Sequence, residues 1–289
     1  MAEVSAADVK KLREKTGAGM MECKNALVST EGDFAKAEKI LKEKGLAALE
    51  KRADRATNAG KIFLKIKDDG SAAVLAELAS ETDFVAKNLD FIALGGAITA
   101  KVLEKGYTEP NDELHGMVTE LATKIRENMG LKRVKVMKAN ANEYFTQYSH
   151  GDGNIGVMIK CNSDKPEIFK DEEIQSFIFT LALHIAAFNP YALDKSKIDP
   201  AYITEQEEIF RKLMEKDEKL AGKPANVLDG ILKGKLNKHL SEICFLEQGY
   251  VKDEKLTVAQ AVAECAKKAG AKLEIADYAY LKVGVGSDS

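Results

Sequence analysis

Val9 and Leu12 lie one helical turn apart behind Ser5 and Asp8, which fit a capping box, so a helix is predicted to open the chain. Thr16-Gly17-Ala18-Gly19 stops it with two glycines. Apolar residues return at helical spacing over 20–28. Gly32-Asp33 breaks the pattern, and Asp33 is placed to cap a helix over 34–44, with Gly45 as the residue just beyond its end. A polar helical connector rich in Ala, Lys and Arg follows over 47–59. The period then changes. Residues 61–78 alternate around Asp69-Gly70, a hairpin signal. Helices are predicted from 82 to 104 and from 115 to 129, and a strand over 133–138.

The plan then repeats. Residues 144–164 read as a second hairpin, turning at Gly151-Asp152-Gly153-Asn154, with an apolar helix over 174–188 behind it. Hairpin plus helix thus occurs twice, roughly eighty residues apart, as two related α+β halves. Ile203, Phe210, Leu213 and Leu220 keep a seven-residue rhythm up to Gly222-Lys223-Pro224. Leu228, Ile231, Leu232, Leu236, Leu240 and Ile243 stripe a second helix, making an antiparallel helical hairpin too short for a long coiled coil. Strands over 245–251 and 273–285 flank a helix over 258–268 that ends at Gly270. These late strands complete the half-sheets, and the small polar tail 284–289 is expected to fray. The expected parts are residues 1–54, a three-helix module; 55–140, the first half of the core; 141–198, the first part of the second half; 199–244, the inserted hairpin; and 245–289, the completion of the second half with the tail.

Composition narrows the class. The chain has 289 residues, 45% hydrophobic and 31% charged, enough apolar mass for real cores. Lys+Arg 43 against Asp+Glu 46 gives net −3, which speaks against a protein that grips nucleic acid over its whole surface. The N-terminus has no apolar signal core, and the longest apolar stretch, 178–188, is too short to span a bilayer and is interrupted by His184. Cys23, Cys161, Cys244 and Cys265 stand far apart, as buried reduced thiols do, and form neither a disulfide framework nor a zinc site. A cytoplasmic protein without membrane contact is expected.

Motifs for covalent chemistry are missing. The chain has no Walker-type glycine loop, no Gly-x-Gly-x-x-Gly between strand and helix, and no His-Glu-x-x-His; His115, His150, His184 and His239 are scattered. A hydrolase would need Cys161 or Cys244 beside a histidine. No metal or cofactor is expected. His184, on a strongly apolar helix, reads as a core or interface histidine, and His150, at a hairpin turn, as exposed. Ser80 or Thr82 can cap the helix that begins at Glu81-Thr82-Asp83-Phe84-Val85-Ala86-Lys87-Asn88. Pattern alone leaves Phe84 either packed on the sheet or exposed as an interface anchor. Met20 and Met21 are likewise core or adaptable contact, and Lys10, Lys11, Arg13 and Lys15 give the first helix a basic face interrupted by Glu14.

Two stretches go further. Leu12-Arg13-Glu14-Lys15-Thr16-Gly17-Ala18-Gly19-Met20-Met21-Glu22-Cys23-Lys24-Asn25-Ala26-Leu27 resembles the N-terminal signature of the bacterial elongation factor Ts family, and residues 81–88 resemble its second signature. The resemblance continues through Tyr148-Ser149-His150-Gly151 and Leu183-His184-Ile185-Ala186-Ala187 and covers nearly the whole chain. It implies a guanine nucleotide exchange factor for elongation factor Tu that works without covalent chemistry. It implies an α+β fold: a ubiquitin-associated-like three-helix N-terminal domain, a two-part core with antiparallel sheets and an inserted helical hairpin. It also implies that Thr82, Asp83, Phe84 and Val85 intrude near the partner's Mg²⁺ site. Arg13, Met20 and Met21 would dock on the partner's nucleotide domain, and His150 and His184 near its other contact surface.

Many family members carry a further C-terminal helix that packs on the partner; the sequence given ends at Ser289, so that contact is expected to be missing or replaced. Expected partners are elongation factor Tu and a second copy of the chain through the helical hairpin, with no direct nucleic acid and no membrane. Three competing classes remain at this point: a hydrolase, an RNA-binding module with a basic face over 42–55, and a dimerising scaffold.

Overall fold

The computed structural model describes residues 4–285; the expected fraying of the tail falls largely outside them. The chain is a mixed α+β protein whose sheets are antiparallel, and it divides into two compact units. The first takes the chain up to Lys138, together with Ser149–Gly156 and the stretch from Leu281. The second takes Ala139–Tyr148 and Val157–Tyr280.

In the first unit, helices α1 (Ala6–Thr16), α2 (Met20–Ser29) and α3 (Phe34–Glu50) pack through Leu12, Cys23, Ala26, Leu27, Ala37 and Leu41. Ser5 caps α1 by accepting the Asp8 amide, and Asp33 caps α3 by accepting the Lys36 amide. Gly45 is not the end of α3: the helix runs through it to Glu50. A Cβ at Gly45 would stand 2.3 Å from Thr123 Cγ2. The glycine therefore serves close helix approach, a tertiary demand that local pattern does not carry.

Strands β1 (Ala59–Ile66), β2 (Ala72–Ser80) and β3 (Met129–Lys138) form a sheet in that order, with Lys65 opposite Val74 and Val74 opposite Val136. Where one helix was expected over 82–104, the structure has a single turn, α4 (Asp83–Ala86), and then α5 (Leu89–Lys105). Asn88 breaks them apart by accepting the Asp90 amide at 2.8 Å as the N-cap of α5. Helix α6 (Asp112–Ile125) starts earlier and stops earlier than its pattern suggested, because Asn111 caps it and Arg126 closes it in the left-handed conformation, φ 68°. Met129 then belongs to β3. The sheet, α5 and α6 share a core of Leu78, Val85, Phe91, Ile98, Leu114 and Leu131.

Strands β4 (Glu143–His150), β5 (Ile155–Asn162) and β8 (Glu274–Lys282) make the other three-stranded sheet, with β5 central. The second unit also holds α7 (Glu172–Phe188), α8 (Pro200–Glu215), α9 (Ala225–Ile243) and α10 (Val258–Ala269). Helices α8 and α9 pack through Phe210, Met214, Leu220, Leu228 and Leu232. The strand expected over 245–251 is instead a 3₁₀ turn at Phe245–Glu247 leading into a two-residue strand β6 (Gly249–Tyr250), paired with β7 (Asp253–Thr257). Burial of Phe245, rather than alternation, places that segment.

Candidate functional site

Residues 80–89 form a braced corner in the first unit. The Ser80 hydroxyl, buried at the end of β2, donates to the Thr82 carbonyl at 2.9 Å. Thr82 is extended, φ −125° and ψ 155°, and its hydroxyl accepts the Val85 amide at 3.4 Å as an N-cap. The same hydroxyl donates to the Glu127 carboxylate, which also accepts the Thr82 amide at 3.2 Å. Val85 and Ala86 point into the core, so Val85 anchors the turn rather than presenting itself to a partner. Phe84, between them and the solvent side of the turn, is 82% exposed. Core packing of Phe84, one of its two sequence readings, is thereby excluded.

Asp83 pairs with Lys87 at 2.7 Å, one turn along. That contact holds the Asp83 carboxyl below the ordinary carboxylate range and raises the Lys87 ammonium. The cap role belongs to Thr82. Leu89, the first residue of α5, is 81% exposed, and Ile92, three residues on, is exposed on the same helix face. Neither was singled out by sequence reasoning. The available signal was that Leu89 lies off the Phe91–Ile98–Val102 face that forms the core.

Met20 and Met21 occupy the first turn of α2, with Met21 65% exposed, while Cys23, Ala26 and Leu27 of the same helix are buried. Glu22 fixes this start by accepting the Gly19 amide at 2.8 Å. Arg13 is exposed on α1, at the edge of the face that buries Val9 and Leu12. His150 is exposed at the tip of the second hairpin. That tip is pinned to β1: the Lys61 ammonium meets the Asp152 carboxylate at 2.7 Å and its carbonyl at 2.8 Å, and the Ile62 amide donates to Gly153 at 2.7 Å.

His184 is separate, in the second unit, and fully buried. Its Nε2 meets Gln248 Oε1 at 2.9 Å, and its ring packs on Phe188 and Phe245. Gln248 uses its amide group on the Glu242 carbonyl, which leaves its oxygen for the histidine and makes Nε2 the donor. Nδ1 has no partner and burial lowers the imidazole's affinity for a proton, so the neutral ring is the stable form.

Nucleophile chemistry finds little support. Burial raises the Cys161 thiol and pushes Cys244 up to about 11, so both stay protonated near neutrality. Among the described residues, no three His, Cys, Asp or Glu side chains gather as metal ligands, and no helix is long and apolar enough to cross a membrane.

Phe84, Leu89 and Met21 thus hold large apolar side chains out in solvent on fixed helix starts. Residues 81–285 match the family model described as Elongation factor TS. The chain is 51% identical over 284 residues to elongation factor Ts of Treponema denticola, covering 98% of this chain and 99% of that protein. It is 44% identical over 292 residues to the Treponema pallidum (strain Nichols) protein of the same name, and 42% identical over 282 residues to that of Borrelia recurrentis, each covered to 99%. The chain belongs to the elongation factor Ts family. It is a guanine nucleotide exchange factor of translation elongation, acting on elongation factor Tu.

Proposed function

We propose that the chain drives release of GDP and Mg²⁺ from elongation factor Tu by binding the nucleotide-free form more tightly than the loaded one, without covalent chemistry, until GTP enters. A GTPase holds its nucleotide through backbone donors and Mg²⁺ that must let go together. A protein that prefers the empty form weakens GDP by the same factor that GDP weakens it. Inverting a 1:99 population in this way takes about 5.5 kcal/mol of differential binding.

The observation that carries this reading is Phe84, 82% exposed on a turn whose neighbours are locked. An aromatic ring already fixed outside the fold loses little freedom on insertion, and its burial contributes about 1.5–3 kcal/mol. Phe84 is the wedge between packed helices of the partner, near its Mg²⁺. Thr82 and Val85 hold it from within, and Asp83 perturbs the ion without becoming a stable ligand. Arg13, Met20 and Met21 dock on the nucleotide domain; the adaptable methionines suit a surface that shifts during exchange. His150 contacts the partner from the hairpin tip, and His184 acts from beneath its surface by seating Phe188, which is exposed. Residues 1–54 serve as the ubiquitin-associated-like domain. The α8–α9 pair is the inserted hairpin, and self-association uses its exposed Ile209 and Leu213. As a factor of translation elongation, the chain works in the cytoplasm.

The test is stopped-flow release of fluorescent GDP from elongation factor Tu with rising concentrations of the chain, alongside calorimetry on empty and loaded partner. Acceleration with tighter binding to the empty form is expected. Equal constants for both forms would remove the mechanism.

A further inference from the structure

The two surfaces assigned to docking are built on separate parts of the chain, yet three consecutive residues touch both. Arg126, Glu127 and Asn128 form the link between α6 and β3. The Arg126 guanidinium pairs with Glu22, the residue that fixes the start of α2 under Met20 and Met21. The Arg126 carbonyl accepts the Arg52 guanidinium, just beyond α3. Glu127 takes the hydroxyl and amide of Thr82, the cap of the Phe84 turn. The Asn128 amide donates to Glu81 at 2.6 Å, and its side chain donates to the carbonyls of Ala53 and Arg55, at 3.1 and 2.8 Å, in the connector from α3 to β1. Arg55 closes the loop on Glu81 at 3.1 Å.

We infer that Arg126-Glu127-Asn128 is a positioning device that fixes the Met20–Met21 surface relative to the Phe84 wedge, so that docking at one delivers the other in register. The inference rests on the exchange reading above and adds the residues that make its two contacts act as a unit. None of the three needs to touch the partner. Their alternation along one short link explains the geometry. Arg126 reaches toward α2, and the left-handed backbone there, φ 68°, turns the next residue toward Thr82. A wedge that strikes a nucleotide site must arrive at a set distance from its docking surface, and small misplacement carries large rate penalties.

The two ends of the device are separable. Arg126→Gly deletes the guanidinium while suiting the left-handed backbone better, so the fold is retained. In the GDP-release assay it is expected to raise the half-saturating concentration about tenfold and leave the plateau rate nearly unchanged, within the range of ordinary coupling between sites. Glu22→Gln, which keeps an acceptor for the Gly19 amide and removes the charge that faces Arg126, is expected to raise the half-saturating concentration in the same way and to add little to Arg126→Gly. Glu127→Ala is expected to lower the plateau about tenfold with little change in half-saturation, because the wedge is loosened and the docking is not. A readout in the free protein separates this inference from the exchange reading. In Glu127→Ala the amides of Val85 and Ala86, which bond to Thr82, exchange with deuterium faster, while those of α5 do not. Should the unaltered chain fail to accelerate GDP release, the exchange reading falls and the amide result still decides the brace. Unchanged protection of Val85 and Ala86, or Arg126→Gly and Glu127→Ala moving plateau and half-saturation together, would overturn the positioning role.

Discussion

The Glu127 carboxylate receives the Thr82 hydroxyl at 3.0 Å from Oε1 and 3.1 Å from Oε2, and the Thr82 amide at 3.2 Å. One acid, 45 residues along the chain, thus fixes the cap of the turn that carries Phe84. Val85 and Ala86 lock the same turn from the core side. The consequence is a wedge whose removal leaves its mount intact.

Phe84→Ala is therefore a test of docking with little effect on folding. Its exposure predicts a stability change within about 0.5 kcal/mol. Loss of the buried contact in the complex, about 1.5–3 kcal/mol, predicts a fall of roughly tenfold to a hundredfold in GDP release at saturating factor. Stopped-flow release and a thermal melt measure the two. A plateau equal to that of the unaltered protein removes the wedge.

Leu89 and Ile92 are exposed on the first turns of α5, the helix that follows the Phe84 turn. Leu89→Ser is expected to weaken association with empty elongation factor Tu about tenfold, consistent with loss of one well-buried aliphatic contact. The melting temperature stays where it was, since the residue is 81% exposed. Calorimetric titration checks the affinity, and an unaltered constant leaves the start of α5 outside the interface.

What could be read from the sequence were features written locally. Ser5 and Asp33 announce helix starts through their own side chains, and Asp69-Gly70 and Gly151-Asp152-Gly153-Asn154 announce turns. Features written by distant partners were not legible. Gly45 looked like a helix end because its neighbour, Thr123, is on another helix. A local signal was also missed: Asn88 splits α4 from α5 through a side-chain cap that apolar periodicity does not register. Of the site, the Thr82–Val85 motif stood out by family resemblance, but whether Phe84 faced core or solvent needed the sheet and α5 in place. Glu127, which sets the corner, has no local signal.

Gly45 offers a packing test of the N-terminal module. Alanine gains about 0.8–1 kcal/mol of helix propensity. Against that, its Cβ meets Thr123 Cγ2 at 2.3 Å. Thr123 cannot swing away freely because its hydroxyl is held on the Thr119 carbonyl at 2.8 Å. Overpacking costs about 1–3 kcal/mol, so Gly45→Ala is expected to be net destabilising by about 1 kcal/mol. Thr123→Ser keeps the hydroxyl and deletes the methyl. In that background Gly45→Ala is expected to become stabilising, as denaturant midpoints of the four proteins will show. The same loss in both backgrounds would place the strain elsewhere.

His184 predicts a pH dependence whose sign follows from its surroundings. Burial holds its pKa below the ordinary 6.5, partly offset by the Gln248 contact. The unfolded chain therefore takes up a proton near pH 6.5 while the folded chain stays neutral. Between the unfolded and folded values the unfolded state binds more protons, and stability falls as pH falls, by at most about 1.4 kcal/mol per pH unit. Above 6.5 the term is constant. Nδ1, lacking a partner, would become an unsatisfied buried donor on protonation, which is why the folded state resists it. His184→Gln removes the titration; His115, His150 and His239 remain in both proteins and cancel in the comparison. Urea midpoints taken from pH 7.5 down to about 5.5 should fall more steeply for the unaltered chain than for the variant. Parallel curves would mean that the folded protein accepts the proton at His184 as readily as the unfolded one, and that Phe188 and Phe245 do not seal the ring from water.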